Sequence, residues 1–361
     1  MENFFKKPVS KYILQFVGII TLIFSSFSVS ANEEPVEKEE SFNAGEMIFE
    51  HVLDAHDWHI MTIGEHHISI PLPIIIYDTE EGGLHMFSSA KFAHGHSHNG
   101  YMIPTEGDYK GKIIKESTGT TDGVLDFSIT KTVFAIMFSA ILMLLIFISV
   151  ANSYKKRKDQ APKGLQSALE PLILFIRDDV AKNSIGKDYM RFMPYLLTIF
   201  FFIFINNVMG LIPIFPGGSN VNGNIGVTMV MAVLTFIITS FNGSKSYWLH
   251  IINMPGVPWW LKFPFPLMPI VEIIGVFTKP IVLMIRLFAN ILAGHIVILG
   301  FMSLIFIFGA MAPALGYGVS IVSVAFSLFL SILEILVAFI QAYVFTLLSA
   351  LYFGMAMQKH H

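Results

Sequence analysis

From Phe127 onward the chain is organised by apolar runs of about twenty residues, the length that crosses a hydrocarbon core ~30 Å thick. In lipid a backbone amide or carbonyl finds no water, so every such group must be satisfied within the chain and the runs fold as helices. They are Lys131 to Val150, Phe192 to Pro213, Ile225 to Phe241, and two further runs in the last hundred or so residues. The expected fold class is an all-α integral membrane protein with about five membrane helices. Composition points the same way. With 54% hydrophobic residues, 14% charged residues and 34 phenylalanines, the chain has more apolar surface than a soluble globule of this length can hide. The net charge of −3 gives no reason to expect nucleic acid as a partner, and the absence of cysteine excludes a disulfide framework, a thiolate nucleophile and a Cys-based zinc site.

Lys6, Lys7 and Lys11 precede an apolar run from Tyr12 to Phe27 and a small-residue exit, Val29-Ser-Ala31. That is the layout of a secretory signal, residues 1–31, with cleavage expected after Ala31; the alternative is an uncleaved anchor helix. Either way, residues 32–125 form an exported polar segment and 126–361 a membrane domain. The exported segment is rich in histidine, including His51, His56, His59, His85 and the alternating run His94-Gly-His96-Ser-His98. Alternating histidines on one side of a strand can chelate zinc or copper. The partner spacing is unconvincing, so the reading taken is a hydrated segment with no metal. Asn43 to Leu53 has the pattern of a short amphipathic helix, and Ile68 to Tyr77 with Gly83 to Phe92 that of a small β element.

Tyr154-Lys-Lys-Arg-Lys158, with Lys163, Arg177, Lys182 and Lys187, makes the connection from the first membrane run to Arg191 strongly basic and therefore cytoplasmic. The next connection, Pro213 to Gly223, is an uncharged Pro/Gly/Asn loop, and Lys245 and Lys262 return to the inside. Pro255, Pro258, Pro264, Pro266 and Pro269 then predict an irregular connection at the interface.

Between Pro264 and Met357 the charged residues are Glu272, Lys279, Arg286 and Glu334. The first three are seven apart, a step that drifts only ~20° around a helix, so they share one face. Glu272 and Lys279 read equally as a polar track or as a helix end with snorkelling side chains. Arg286 is different. Arginine keeps its proton, and a charge at the bilayer centre costs ~2.5–3.5 kcal/mol on insertion scales, so it normally faces protein or water and acts there; the alternative is a structural arginine that caps carbonyls. Glu334 and Gln341, again seven apart, share a face of the last helix. A carboxyl in an apolar helix is a candidate for proton exchange, and His295, on the opposite side of its helix from Arg286, is a second titratable group. From Tyr317 to Met357 no proline interrupts the helical pattern. At 1.5 Å per residue that run spans ~60 Å and must lie tilted, forming a slanted hairpin with the helix that carries Arg286.

Arg-Leu-Phe-Ala-Asn-Ile-Leu-Ala-Gly-His at 286 to 295, preceded by Lys279-Pro280, resembles the signature of subunit a of the rotary F-type ATP synthase. The likeness runs from about Leu125 to the C-terminus and includes Glu272, Asn207 before Leu211-Ile-Pro213, and the Glu334 to Gln341 helix ending in Leu351-Tyr-Phe-Gly-Met. It implies a proton-translocating stator subunit in the bacterial inner membrane, with its C-terminus cytoplasmic and its partners the c-ring, the subunit b stalk and the other F1Fo subunits. Arg286 would be the essential arginine between two aqueous half-channels, facing each c-ring carboxylate in turn. Glu334 and His295 would be the proton-conducting pair of the outer half-channel, with Asn207, Asn290 and Gln341 as polar lining near the arginine and Glu272 and Lys279 as a supporting polar track. Many bacterial relatives exchange the acid and the histidine, and some carry an acid at the position of Gly210. No cofactor is implied, and no Gly-x-x-x-x-Gly-Lys-Ser/Thr loop exists, so ATP chemistry would belong to other subunits. A secondary transporter would usually show related halves with broken helices, and no repeat is visible.

Overall fold

The computed structural model describes residues 43–63, 66–80, 82–104, 107–156, 160–212, 215–252 and 267–358. Residues 1–31, expected as a secretory signal, and Arg157, Lys158, Pro213, Pro255, Pro258, Lys262, Pro264 and Pro266 lie outside the described residues, as do the side chains of His66, His67 and His94.

The N-terminal module begins with helix α1 (Ala44–Val52). Strands β1 (Asp57–Ile63) and β2 (His66–Pro71) pair antiparallel, with a register shift between His59 and Met61. β3 (Pro73–Asp78) is the centre of a second sheet, flanked by β4 (Gly83–Ser88) and later by β7 (Val124–Asp126). Two short strands, β5 (Tyr101–Met102) and β6 (Ile114–Lys115), pair between them. The stretch expected as one strand from Ile68 to Tyr77 is divided at Pro71-Leu72-Pro73, because proline cannot donate to a ladder. Residues 89–92 turn as a 3-10 helix instead of continuing β4; there the Ser89 hydroxyl accepts the Leu72 amide at 2.9 Å.

Alternation along β3 buries Ile74 and Ile76, which form a small core with Phe92, Tyr101 and Ile113. Asp78, on the same face, is fully buried and accepts from Tyr101 Oη at 2.7 Å and from Lys115 Nζ. Lys115 also donates to Glu80 at 2.6 Å, and these two carboxylates hold its ammonium well above the usual lysine range, Glu80 first.

The membrane domain starts with α2 (Lys131–Lys156). α3 (Leu165–Phe175) runs through a π-helical turn, Ile176–Lys182, into the short α4 (Asn183–Ile185). This stretch was expected as a basic loop; it is helical, with Ile176, Val180 and Ala181 buried and Asp178 paired to Arg177 and Lys182. α5 (Tyr189–Gly210) and α6 (Ile225–Phe241) match the second and third apolar runs, and α7 (Lys245–Ile252) follows at an angle of 108° to α6. α8 (Leu267–Met311) and α9 (Pro313–Met357) are each 45 residues, so each is ~68 Å long, about twice the hydrocarbon core. Such helices cannot stand upright in a bilayer. Pro269, expected to break the chain, sits instead in the first turn of α8, where proline's missing N–H costs nothing. Pro313 likewise starts α9, and the hairpin is tight enough that a Cβ on Gly316 would come within 2.7 Å of the Gly309 Cα.

Among the described residues four helices are long and apolar enough to cross a membrane, or five if α6 with α7 is one span. The sheets all precede Phe127. Lipid supplies no hydrophobic drive for helices to associate, so small residues and polar contacts hold them. α9 packs on α5 through a stripe containing Ala338, Ala342, Ser349, Ala350 and Ala356, against the buried rings of Phe192, Phe200 and Phe201. Tyr195 Oη, Thr235 Oγ1 and Ser349 Oγ link α5, α6 and α9 at 2.7 and 3.4 Å. The α8–α9 hairpin is far less covered. Half of the apolar window in the α3–α5 segment is buried within the chain, but only 11% of that in α8 and 22% of that in α9.

Candidate functional site

Glu334 is 6% exposed on α9, and His295 reaches towards it from α8, with His295 Nε2 4.0 Å from Glu334 Oε1. The two helices can bring these groups together because residue 294 is glycine: a Cβ there would collide with the Glu334 carboxyl. The same edge of the His295 ring lies against the end of α5, where a Cβ on Gly210 would lie 3.5 Å from His295 Nε2. Both Glu334 oxygens are buried without a hydrogen-bond partner among the described residues. A buried carboxyl in that condition needs water or a proton.

The same region is lined by a cluster of buried amides. Asn222, in the turn Val221–Gly223, donates to Asn207 Oδ1 at 2.6 Å and to the Ile203 carbonyl at 3.1 Å. Asn207 in turn donates to the Ala338 carbonyl of α9 at 3.5 Å, one turn past Glu334. Asn206 Oδ1, Ser219 Oγ, Asn220 Nδ2 and Asn222 Oδ1 are buried and unpartnered among the described residues. Along α9, Ser323 and Ser327 are buried on one side of Glu334 and Gln341 on the other, which extends a polar stripe through the helix. The Ser327 hydroxyl is also unpartnered.

Arg286 stands apart from this cluster. It is exposed, on a face of α8 that includes Val282, Ile285, Ala289 and Asn290, and it forms no ion pair with any described residue. Across from it on α9, the Tyr352 ring lies under Lys279 Nζ at 5.9 Å and within reach of the Arg286 field. Lys279 and Tyr352 line a small cavity with Thr235, Thr239 and Tyr247, and Glu272, half-buried, acts electrostatically on Tyr247. The candidate residues therefore divide into three places: Glu334, His295, Asn207 and Gln341 on buried faces, Arg286 and Asn290 on the open face of α8, and Glu272 and Lys279 near the other end of that helix.

Sequence reasoning missed Ser327, Asn206, Asn222, Ser219 and Gly294. Ser327 lies seven residues before Glu334, the spacing that linked Glu334 to Gln341, and Ser219 and Asn222 were visible as part of an uncharged polar loop in an apolar protein. In the N-terminal module, no three histidine or acidic side chains among the described residues converge as a metal ion would require.

Comparison with known proteins places two families end to end along the chain. Residues 47–130 match a family described as a domain of unknown function, and residues 133–354 match the family described as ATP synthase A chain. The chain is 46% identical over 241 residues to ATP synthase subunit a of Chloroherpeton thalassium, covering 65% of this chain and 68% of the relative. It is 46% identical over 237 residues to ATP synthase subunit a 2 of Chlorobaculum tepidum, 64% of each chain. With ATP synthase subunit a of Myxococcus xanthus it shares 42% identity over 256 residues, 68% of this chain and 79% of the relative. A family match across 133–354 and relatives aligned over 64–79% of their length lead to one conclusion: the chain belongs to the ATP synthase A chain family.

Proposed function

We propose that the chain is the proton-translocating stator subunit of an F-type ATP synthase, in which Arg286 couples proton flow to rotation of a ring of c subunits. The observation that carries this reading is a permanent cation on a thinly covered apolar helix face, with no counter-ion among the described residues. Such a face in a membrane calls for a partner that brings a carboxylate. A fixed guanidinium stabilises that carboxylate only when it is ionised, so each ring carboxylate must release its proton before meeting Arg286 and take one up after passing it. Release and uptake on opposite sides of the membrane then make rotation and proton flow one process. Lysine is a poor substitute, because it can lose its proton in an apolar site and lacks the planar fork.

Two separate polar regions support two half-channels. Glu334, His295 and the buried amides form the outer one, with Asn207 and Gln341 leading towards the ring face. Lys279, Tyr352 and Glu272 belong to the inner one, with Asn290 beside Arg286 on the ring face. The N-terminal module is exported, the basic stretch around Lys155 and Lys156 and the C-terminus are cytoplasmic, and the arrangement is that of a bacterial inner membrane subunit. Nucleotide chemistry belongs to the other F1Fo subunits, with subunit b as the stator neighbour.

Because the chain contains no cysteine, the ring contact can be tested by single introduced thiols. Cysteines at Val282 and Ala289, on the Arg286 face, are expected to cross-link to cysteines on the carboxylate-bearing helix of the c subunit, and a cysteine at the buried Leu283 is not. Cross-linking at Leu283 with none at Val282 and Ala289 would contradict this orientation and with it the proposed role.

A further inference from the structure

The proposed reading leaves the N-terminal module without a role, and its contacts with the membrane domain supply one. Trp58, 5% exposed, projects from β1 onto Phe134 of α2 and onto Phe215, with ring centroids 5.7 and 5.2 Å apart. Phe134 and Phe215 are themselves 5.5 Å apart, so the three rings form one wedge. Val221 packs into the same apolar cluster, with Ala135 of α2, Phe202 of α5 and Val227 of α6 around it. The residue after Val221 is Asn222, whose amide holds Asn207, which holds the α9 carbonyl at Ala338. A continuous line of packed and hydrogen-bonded groups therefore runs from Trp58 to the α9 face that carries Glu334 and Gln341.

Polar contacts lock the wedge to the start of α2. Asp54 accepts from the Thr132 amide at 2.9 Å and from the Thr130 hydroxyl at 2.7 Å, a helix cap supplied from a distant part of the chain. The Lys131 amide donates to the Ala55 carbonyl at 2.9 Å, and its ammonium donates to the His51 carbonyl at 3.1 Å. Lys131 is 8% exposed, and its field reaches His295. α1 adds a further contact, packing on α8.

We propose that the N-terminal module is the clasp of the outer half-channel: by wedging Trp58 against Phe134, Phe215 and Val221 it positions Asn222, and through Asn222 positions Asn207 beside Glu334 and Gln341. This inference rests on the half-channel reading above. Trp58 touches no proton; it is a positioning residue. The module works as a fixed buttress that keeps the Phe215–Asn224 loop closed over the polar cluster, so that protons reach His295 and Glu334 by one ordered route.

The test uses the assembled complex in membranes and a reporter thiol, Ser219→Cys, at a position that is 3% exposed. Two quantities are read: the rate at which a small membrane-impermeant thiol reagent modifies this cysteine from the outer side, and passive proton conduction after removal of the catalytic sector. In Trp58→Ala the labelling rate is expected to rise about tenfold as the loop opens, and conduction to fall several-fold. Trp58→Phe, which keeps a ring in the wedge, is expected to restore both. Where Trp58→Ala does not assemble, Asp54→Ala removes the cap alone and is expected to move both readouts in the same directions. Unchanged labelling and conduction in an assembled Trp58→Ala or Asp54→Ala complex would overturn the clasp, as would a loss of conduction that Trp58→Phe does not rescue. A wild-type membrane that conducts no protons would instead remove the half-channel reading, and the labelling rates would still report whether the module holds the loop.

Discussion

Gly294 shows how narrowly the titratable pair is fitted. The space a methyl group would occupy there is filled by the Glu334 carboxyl. Gly294→Ala is expected to push that carboxyl off its approach to His295 and to lower ATP-driven proton pumping by ~10-fold or more, since misplacing a reacting group by 1 Å can cost ~100-fold. Adding the shorter Glu334→Asp to Gly294→Ala should recover part of the loss, and wild-type pumping by Gly294→Ala would show that the close approach is irrelevant. Glu334→Gln and His295→Ala are expected to reduce pumping in a graded way at unchanged subunit level; full rates in both would remove the pair from the proton path. Arg286, Glu334 and His295 were legible in the sequence because ionisable side chains are rare in apolar helices. Ser327 and Asn222 were not. An uncharged polar residue reads the same whether it faces lipid headgroups, water or a buried interface, and only the packing of α5, α9 and the Val221–Gly223 turn decides among these.

At the scale of elements, α2, α6 and the α8–α9 hairpin were legible because unbroken apolar runs in a lipid solvent have few alternatives to a helix. The start of α9 was placed four residues late, at Tyr317, because Pro313 reads as a breaker unless it is recognised as a first-turn residue. α3 and the π-helical turn after it were missed for a related reason. Pro171 and the charges of Arg177, Asp178 and Asp179 suggest a loop, and tertiary packing of Ile176, Val180 and Ala181 overrides them. In the module, burial would raise the proton affinity of Asp126 at the end of β7, but hydrogen bonds from His56 at 2.8 Å and from Ser128 outweigh it and hold the carboxyl below its usual 3.8. A depressed carboxylate contributes stability that is present above its unfolded-state value and lost as pH falls through the folded one. Thermal unfolding of the protein, followed by circular dichroism, is therefore expected to lose stability below about pH 4 in the wild type and to lose less of it there in Asp126→Asn. Coincident profiles for the two would show that the His56 contact does not act on folding.

For the whole molecule, the two family matches meet between residues 130 and 133, which is where the structure ties the module to α2 through Asp54, Lys131 and Thr132. The chain thus joins a small β-rich module to a membrane domain in which the α8 helix that carries Arg286 is the least covered of the candidate spans among the described residues, 11% of its apolar window being buried. In the proposed function Arg286 couples proton movement to rotation of the c-ring. Its most direct test is ATP-driven acidification of inverted membrane vesicles, followed with a quenching dye, comparing wild type with Arg286→Ala at matched levels of assembled complex. The account predicts acidification in the wild type and none in the variant; equal acidification in both would contradict it.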